Sequence, residues 1–445
     1  MRYIPKTPDD VKQMLNTIGA DSTEDLFKDI PKEALLKRKL NLPKAMAELE
    51  IKRHMELLSG KNTYKHLNFL GAGAYRHFIP AVVNQLIFRS EFYTAYTPYQ
   101  AEMSQGILQA LYEYQSMICE LTGMDAANSS VYEGASALAE ACIMAVNIKK
   151  KKNILIAGNI HPEYKEVVKT YCHFHGITVS EFGDDSGEAS LKDLEMNIQP
   201  DTAAIIVQNP NFFGIIENLE EISKTVHDAN ALLIVGVVEA TSLGILKEPG
   251  KFADIVSGEG QAFGNAVNFG GPYFGFMATK MEFVRYLPGR IVGATVDTEG
   301  RRGFTLTLQA REQHIRREKA SSNICTSQVL NALAASIYLA SLGKKGLRQV
   351  AEQNLQKANY AAKKFKEAGF EIAFDKPFYN EFAVKFDDLK KVNEELLDKE
   401  IIGGFDLGRF YPEYQNYGLF CVTELHAKED IDKLIITAKN SLPRK

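Results

Sequence analysis

The chain has no apolar run long enough to cross a bilayer. The longest, Ala231 to Val238, falls well short of the roughly 20 residues that a spanning helix needs. It has no excess of positive charge either. Fifty-two Lys and Arg stand against 56 Asp and Glu, a net charge of −4, so no electrostatic footprint marks it for nucleic acid. The opening residues, MRYIPKTPDD, lack the apolar stretch of a secretory leader, and their two early acids do not suit a basic transit peptide. Cysteine is sparse. Cys119, Cys142, Cys172, Cys325 and Cys421 are dispersed with no C-x-x-C pair, which reads as reduced thiols in a cytoplasmic protein.

Several motifs are missing as well. There is no G-x-x-x-x-G-K-[ST] phosphate loop, and Gly71–Arg76 lacks the third glycine of a dinucleotide fingerprint. A kinase and a nicotinamide dehydrogenase are thereby disfavoured. No H-E-x-x-H occurs; His173 and His175 read as the end of a surface helix, and no metal site is expected. Lys149–Lys152 reads as a solvated helix C-terminus, where cations are favoured.

What is present divides into three stretches. Residues 1–90 read as a helical arm with a helix start at Thr7-Pro8-Asp9-Asp10. Residues 91–325 read as a large α/β domain. Ile107, Leu111, Tyr114, Ile118 and Leu121 recur in steps of four and three, predicting a helix over 102–121 that Gly123 ends. A second helix is expected over 135–148. The apolar runs 153–157, 203–207 and 231–238 read as strands buried on both faces, with 253–256 and 273–277 as further candidates. Helical stretches at 163–171, 191–198 and 219–229 separate them, which implies βαβ units and a mainly parallel sheet. Residues 326–445 read as a smaller α+β domain. Its helices are expected over 327–342, from a break at 343–346 to 368, at 389–399 and at 430–438; its strands at 370–374, 381–386 and 418–422. By pattern alone this is a two-domain α/β cytoplasmic protein.

Four segments go further: Phe92–Gly106 with Tyr114–Met124; Gly258–Gly264 with Phe269–Gly275; Arg302–Ser327; and Leu407–Glu413 with Cys421–Glu424. Together they resemble the glycine decarboxylase family of the glycine cleavage system, in the family's order, and they match the N-terminal half of its single-chain form. The resemblance implies an aspartate-aminotransferase-like, fold type I pyridoxal-phosphate fold. It implies an enzyme that decarboxylates glycine, releases CO2 and passes the aminomethyl group to the lipoyl arm of H protein. It also implies a homologous, lysine-bearing second subunit in an α2β2 assembly, with pyridoxal phosphate bound by that partner.

The family's catalytic half needs a lysine whose amine attacks the cofactor aldehyde. Counting back from Gly270-Gly271-Pro272 puts Gln261 at its position, with Ala262 one residue on, and no lysine lies between Lys251 and Lys280. An amide cannot form the imine. The strand end Val237–Thr241 also lacks the family's Asp-x-Ala. Gly134 and Ser136, at a helix start, resemble the phosphate cradle of this fold; they are either its remnant or a simple turn of small residues. The loop Tyr96, Thr97, Pro98, Tyr99, Gln100 either reaches the partner's active site or only packs at the interface. Arg311–Lys319 either docks a partner or carrier or is a solvated helix with i,i+4 pairs. Asn323 and Cys325 sit at the domain join, with Cys325 expected to be a buried, inert thiol. Two other functions stay open here: a self-sufficient pyridoxal-phosphate enzyme using Lys247 or Lys280, and a non-catalytic regulatory relative.

Overall fold

A computed structural model describes residues 5–62, 66–92, 95–268 and 271–441. Tyr93, Thr94, Phe269 and Gly270 of the segments above lie outside these. The chain forms two units, residues 1–64 and 65–445. The first contains α1 (Pro8–Ile18) and α2 (Glu48–Ser59). The expected start of α1 is realised as a capping box: the Thr7 hydroxyl accepts from Asp10 N at 3.2 Å, and the Asp10 carboxylate accepts from Thr7 N at 2.7 Å. Gly19, at φ +77°, closes the helix.

The second unit begins earlier than residue 90. Strand β1 (Leu67–Asn68) pairs with a strand near residue 401, and Phe69 is buried in the small-domain core. Apolar residues too few to make a helical face were enough to fix this segment to a distant strand. Helix α3 (Ala81–Ile87) then leads to α4 (Gln105–Thr122), which buries the predicted apolar face and ends at Gly123 in the left-handed conformation.

Seven strands make the main sheet: β2 (Ala126–Ala127), β3 (Asn153–Ala157), β4 (Thr178–Phe182), β5 (Thr202–Gln208), β6 (Leu232–Val237), β7 (Ile255–Glu259) and β8 (Gly275–Thr279). Their order is β2-β8-β7-β6-β5-β3-β4, parallel from β7 through β4. Strands β5 and β6 are buried at every residue, as continuous apolar runs require. β7 and β8 lie about two residues beyond their expected positions, and β4 was missed, because TVSEF at the sheet edge is largely exposed and carries no apolar run. Between the strands lie α5 (Gly134–Lys149), α6 (Pro162–Phe174), α7 (Leu191–Asn197) and α8 (Leu219–Asp228). Small residues let α5 bury its first twelve positions on all sides.

A hairpin of β9 (Ile291–Val296) and β10 (Arg302–Thr307), also missed, extends from this domain. Arg311–Lys319 is not a solvated helix with i,i+4 pairs. It breaks into α9 (Gln313–Arg316) between two short 3-10 turns, because Glu312 is buried and Arg311 is half-buried, donating to the Gly289 carbonyl at 2.7 Å. The expected break is present at Gly343 (φ +61°, ψ −179°), a non-helical residue that joins two helices in the stretch α10 (Val329–Glu367). Residues of α10 up to Leu347 belong to the large core and those from Ala358 to the small one, so the change of core follows the kink at Gly343. The small domain carries β11 (Glu371–Ile372), β12 (Glu381–Lys385), β13 (Ile401–Ile402), β14 (Phe405–Asp406) and β15 (Tyr417–Cys421), with α11 (Leu389–Asp398) and α12 (Lys428–Asn440). No helix among the described residues is long and apolar enough to cross a membrane.

Candidate functional site

Ligands of open parallel sheets bind beyond the carboxyl ends of the strands. Here β3 leads to His161 at the start of α6, β6 to Glu239, and β7 to Glu259 and Gln261. The start of α5 faces them. Over these ends lies a segment the sequence had offered only as a failed fingerprint, Gly71 to Phe78.

Four of its eight residues, Ala72, Tyr75, His77 and Phe78, are hydrogen-bonded to the strand ends and the small domain. Gln261, 2% exposed, accepts from Tyr75 N at 3.0 Å and donates to the Tyr75 carbonyl at 2.9 Å. Its second amide hydrogen goes to the Asn265 carbonyl at 2.7 Å. This two-way pairing needs a donor and an acceptor on one side chain, and a lysine has no acceptor. The His161 ring lies 2.9 Å from the Ala72 carbonyl. Glu381 of β12 accepts from Ala72 N and from the Tyr75 hydroxyl, both at 2.7 Å. His77 lies between two carboxylates, Glu239 at 3.2 Å and Glu424 at 2.8 Å. Two glycines make this fit possible. Gly73 has φ +103°, and a Cβ there would sit 2.5 Å from His161 Nε2; a Cβ on Gly71 would collide with Glu381 and Cys421.

The electrostatics follow from burial. His77 is opposed by its own desolvation, but Glu239 and Glu424 outweigh this and raise it to about 10. Glu424 is correspondingly held low by His77 despite its burial. Burial pushes Glu381 up to about 7 and Glu259 to about 8, so Glu259 keeps its proton at neutral pH. Burial also lowers His161.

The start of α5 decides whether pyridoxal phosphate fits this chain. Gly134 N donates to Glu259 at 2.9 Å, and Ser136 gives both its N–H and its hydroxyl to Glu133. The N–H groups that would cradle a phosphate are therefore taken by the chain's own carboxyl groups. A dianion would meet Glu133 as well as an acidic neighbour. With Gln261 where the lysine was expected, no lysine between 251 and 280, and Gly71–Phe78 across the strand ends, the residues present do not fit the cofactor. Lys280 offers no substitute. It pairs with Asp254 at 2.7 Å, before β7, about 16 Å of strand from Gln261 at 3.3 Å per residue. Lys247 lies over the Phe252 ring.

The Tyr96–Gln100 loop is a separate surface. Tyr96 is 87% exposed, Tyr99 and Gln100 are exposed, Thr97 is half-buried and Pro98 buried. Tyr99 meets His314, ring to ring at 5.5 Å, and Arg290. Neither Arg290 nor the Gly71–Phe78 segment was singled out by the sequence, although the Gly-x-Gly in the latter was a visible sign of a tight backbone approach. Cys325 is exposed, against expectation, because it lies in an extended connection; its N–H donates to the Tyr132 hydroxyl at 3.0 Å. His173 and His175 are exposed at the end of α6. A groove of about 700 Å³ lies beyond β3 and β4, lined by Lys165, Glu181, Tyr411 and Tyr414 among others and not by Gln261; both of its lysines pair with Glu181.

A family model described as glycine cleavage system P-protein matches residues 1–438. A Carboxydothermus hydrogenoformans protein named "Probable glycine dehydrogenase (decarboxylating) subunit 1" is 53% identical over 438 residues, covering 98% of both chains. A Listeria monocytogenes protein of the same name is 50% identical over 444 residues, 99% of both. The crystal structure of a glycine decarboxylase (P-protein) of the glycine cleavage system, in inhibitor-bound form, is 43% identical with a TM-score of 0.90, over 99% of this chain and 100% of that one. Lactobacillus brevis glutamate decarboxylase, 14% identical with a TM-score of 0.69 over 92% of this chain and 94% of its own, shares the fold alone.

Proposed function

The chain belongs to the glycine cleavage system P-protein family, and from that premise we propose a division of labour with its partner chain. As subunit 1 of a two-subunit enzyme with the type I pyridoxal-phosphate fold, it supports glycine decarboxylation. The partner, subunit 2, supplies the Schiff-base lysine and holds the cofactor, whose ring serves as the electron sink for loss of CO2. This chain supplies a wall of that site, with the Tyr96–Gln100 loop directed at the partner. The aminomethyl group passes to the lipoyl arm of H protein, and the assembly is α2β2. The dispersed free cysteines suit a cytoplasmic setting.

One observation carries this reading: the strand-end site of this chain is closed by its own Gly71–Phe78 segment, fastened by Gln261 where the lysine would stand. The experiment is reconstitution. Purified alone, the chain shows no imine absorbance after incubation with pyridoxal phosphate and no glycine–bicarbonate exchange; adding subunit 2 restores both. Exchange by the isolated chain, or a pyridoxyl-lysine peptide from it after borohydride reduction, overturns the reading.

A further inference from the structure

Resting on the reading that the Tyr96–Gln100 loop serves the partner's active site, we infer that Arg290 is the residue that positions this loop. Arg290 immediately precedes β9 and is 5% exposed. Its carbonyl accepts from Ser129 N at 2.8 Å, so its backbone is tied to the large domain. Its guanidinium then reaches three other segments. One Nη donates to the Cys325 carbonyl at 2.8 Å and to the Tyr99 hydroxyl at 3.3 Å; the other donates to Thr326 Oγ1 at 3.4 Å. Nε lies 4.0 Å from the Glu312 carboxylate. The Tyr99 ring also sits 5.5 Å from the guanidinium carbon, within cation–π range.

The loop has few other fixings. Tyr99 N donates to the Thr97 carbonyl at 2.8 Å, a bond inside the loop, and Pro98 is buried. The hydroxyl of the exposed Tyr99 is held from outside by Arg290. A planar, forked donor spanning Tyr99, Cys325 and Thr326 sets these three relative to one another, with Glu312 opposite its charge, and a lysine, with a point charge and a flexible stem, cannot. Arg290 is buried beneath the loop and acts through Tyr99.

The test uses the full chain assembled with subunit 2, with glycine–bicarbonate exchange as the assay and sedimentation as the check on assembly. Tyr99→Phe, Arg290→Lys and the double variant are compared. Each single variant is expected to lower kcat about three- to tenfold, with KM for glycine changed less than about twofold, the scale of one ordinary hydrogen bond. Because both act through one contact, the double variant is expected to be no slower than the worse single. Arg290→Lys at the wild-type kcat, or a double variant whose loss is the product of the singles, overturns the inference. If Tyr96→Phe and Tyr99→Phe both leave kinetics unchanged, the parent reading of the loop fails. If they slow the enzyme while Arg290→Lys does not, only the role of Arg290 fails. Should Arg290→Lys not assemble, His314→Ala carries the test. It leaves Arg290 in place, so it must cost less than Tyr99→Phe; an equal or larger loss means that His314 and not Arg290 holds the ring.

Discussion

Two regions of this chain, the strand ends of the main sheet and the face around Tyr99, have opposite chemistry. At the carboxyl ends of β3, β6 and β7, every donor and acceptor of Gln261 is used, Tyr75 is buried, and the helix start at α5 is bonded to Glu133 and Glu259. On the Tyr96–Arg290–His314 face, Tyr96 and Tyr99 stand exposed, with the buried Arg290 beneath them bonded to the Tyr99 hydroxyl. The first region behaves as protein core and the second as something awaiting a neighbour. The strand ends are thus filled by the chain's own bonds, while the loop face leaves its aromatic groups open to a neighbour.

The contrast can be broken by substitution, and the largest effect belongs to the closed region. Gly73→Val adds a side chain to a left-handed residue pressed on His161. It should cost about 2–4 kcal/mol of unfolding free energy in denaturant titration; a neutral result would show the segment to be loosely held. Gln261→Lys restores the family's residue. It should lose about 2–3 kcal/mol, since Tyr75 N is left without an acceptor and a cation is buried, and give no imine absorbance with pyridoxal phosphate. Absorbance in the imine band would mean that the segment yields to the cofactor and the region is not core. On the open face, Tyr96→Phe should leave the unfolding midpoint unchanged and lower turnover of the assembled enzyme about threefold; the reverse pattern would make that loop ordinary packing.

The closed region also sets a slope with pH. Glu259 is raised from an ordinary value near 4.5 to about 8. A raised carboxyl stabilises the fold fully below about pH 4.5, and that stability is lost as pH climbs to about 8. His77, raised from 6.5 to about 10, likewise loses its contribution as pH rises through that interval. Stability should therefore fall from mildly acidic to alkaline pH, and Glu259→Gln should remove up to about 1.4 kcal/mol per pH unit of that decline between pH 4.5 and 8. An unchanged slope would mean that Glu259 titrates near its ordinary value and the region is wetter than its geometry implies.

Much of the fold was legible because its signals are local. The runs in β5 and β6 and the four-and-three spacing in α4 are read within a dozen residues. β4 and the β9–β10 hairpin were not, since partly exposed strands lack such runs. Gln261 was found by the glycines after it, yet what it does was hidden. Its partner Tyr75 lies 186 residues away, and His77 is 347 residues from Glu424. No short-range pattern carries pairs so distant; only the Gly-x-Gly at 71–73 hinted at a close backbone approach. Arg290 is an isolated charge in sequence and gains its meaning from Tyr99, 191 positions earlier.

The pairing of Gln261 with the Tyr75 backbone also bears on how the two-chain arrangement persists. A single change back to lysine breaks a buried pairing without clearing Gly71–Phe78 from the strand ends or freeing the start of α5. That step is expected to cost folding free energy before it gains any chemistry. On the proposed division of labour, the stability of this chain acts as a ratchet that holds the two-chain arrangement in place.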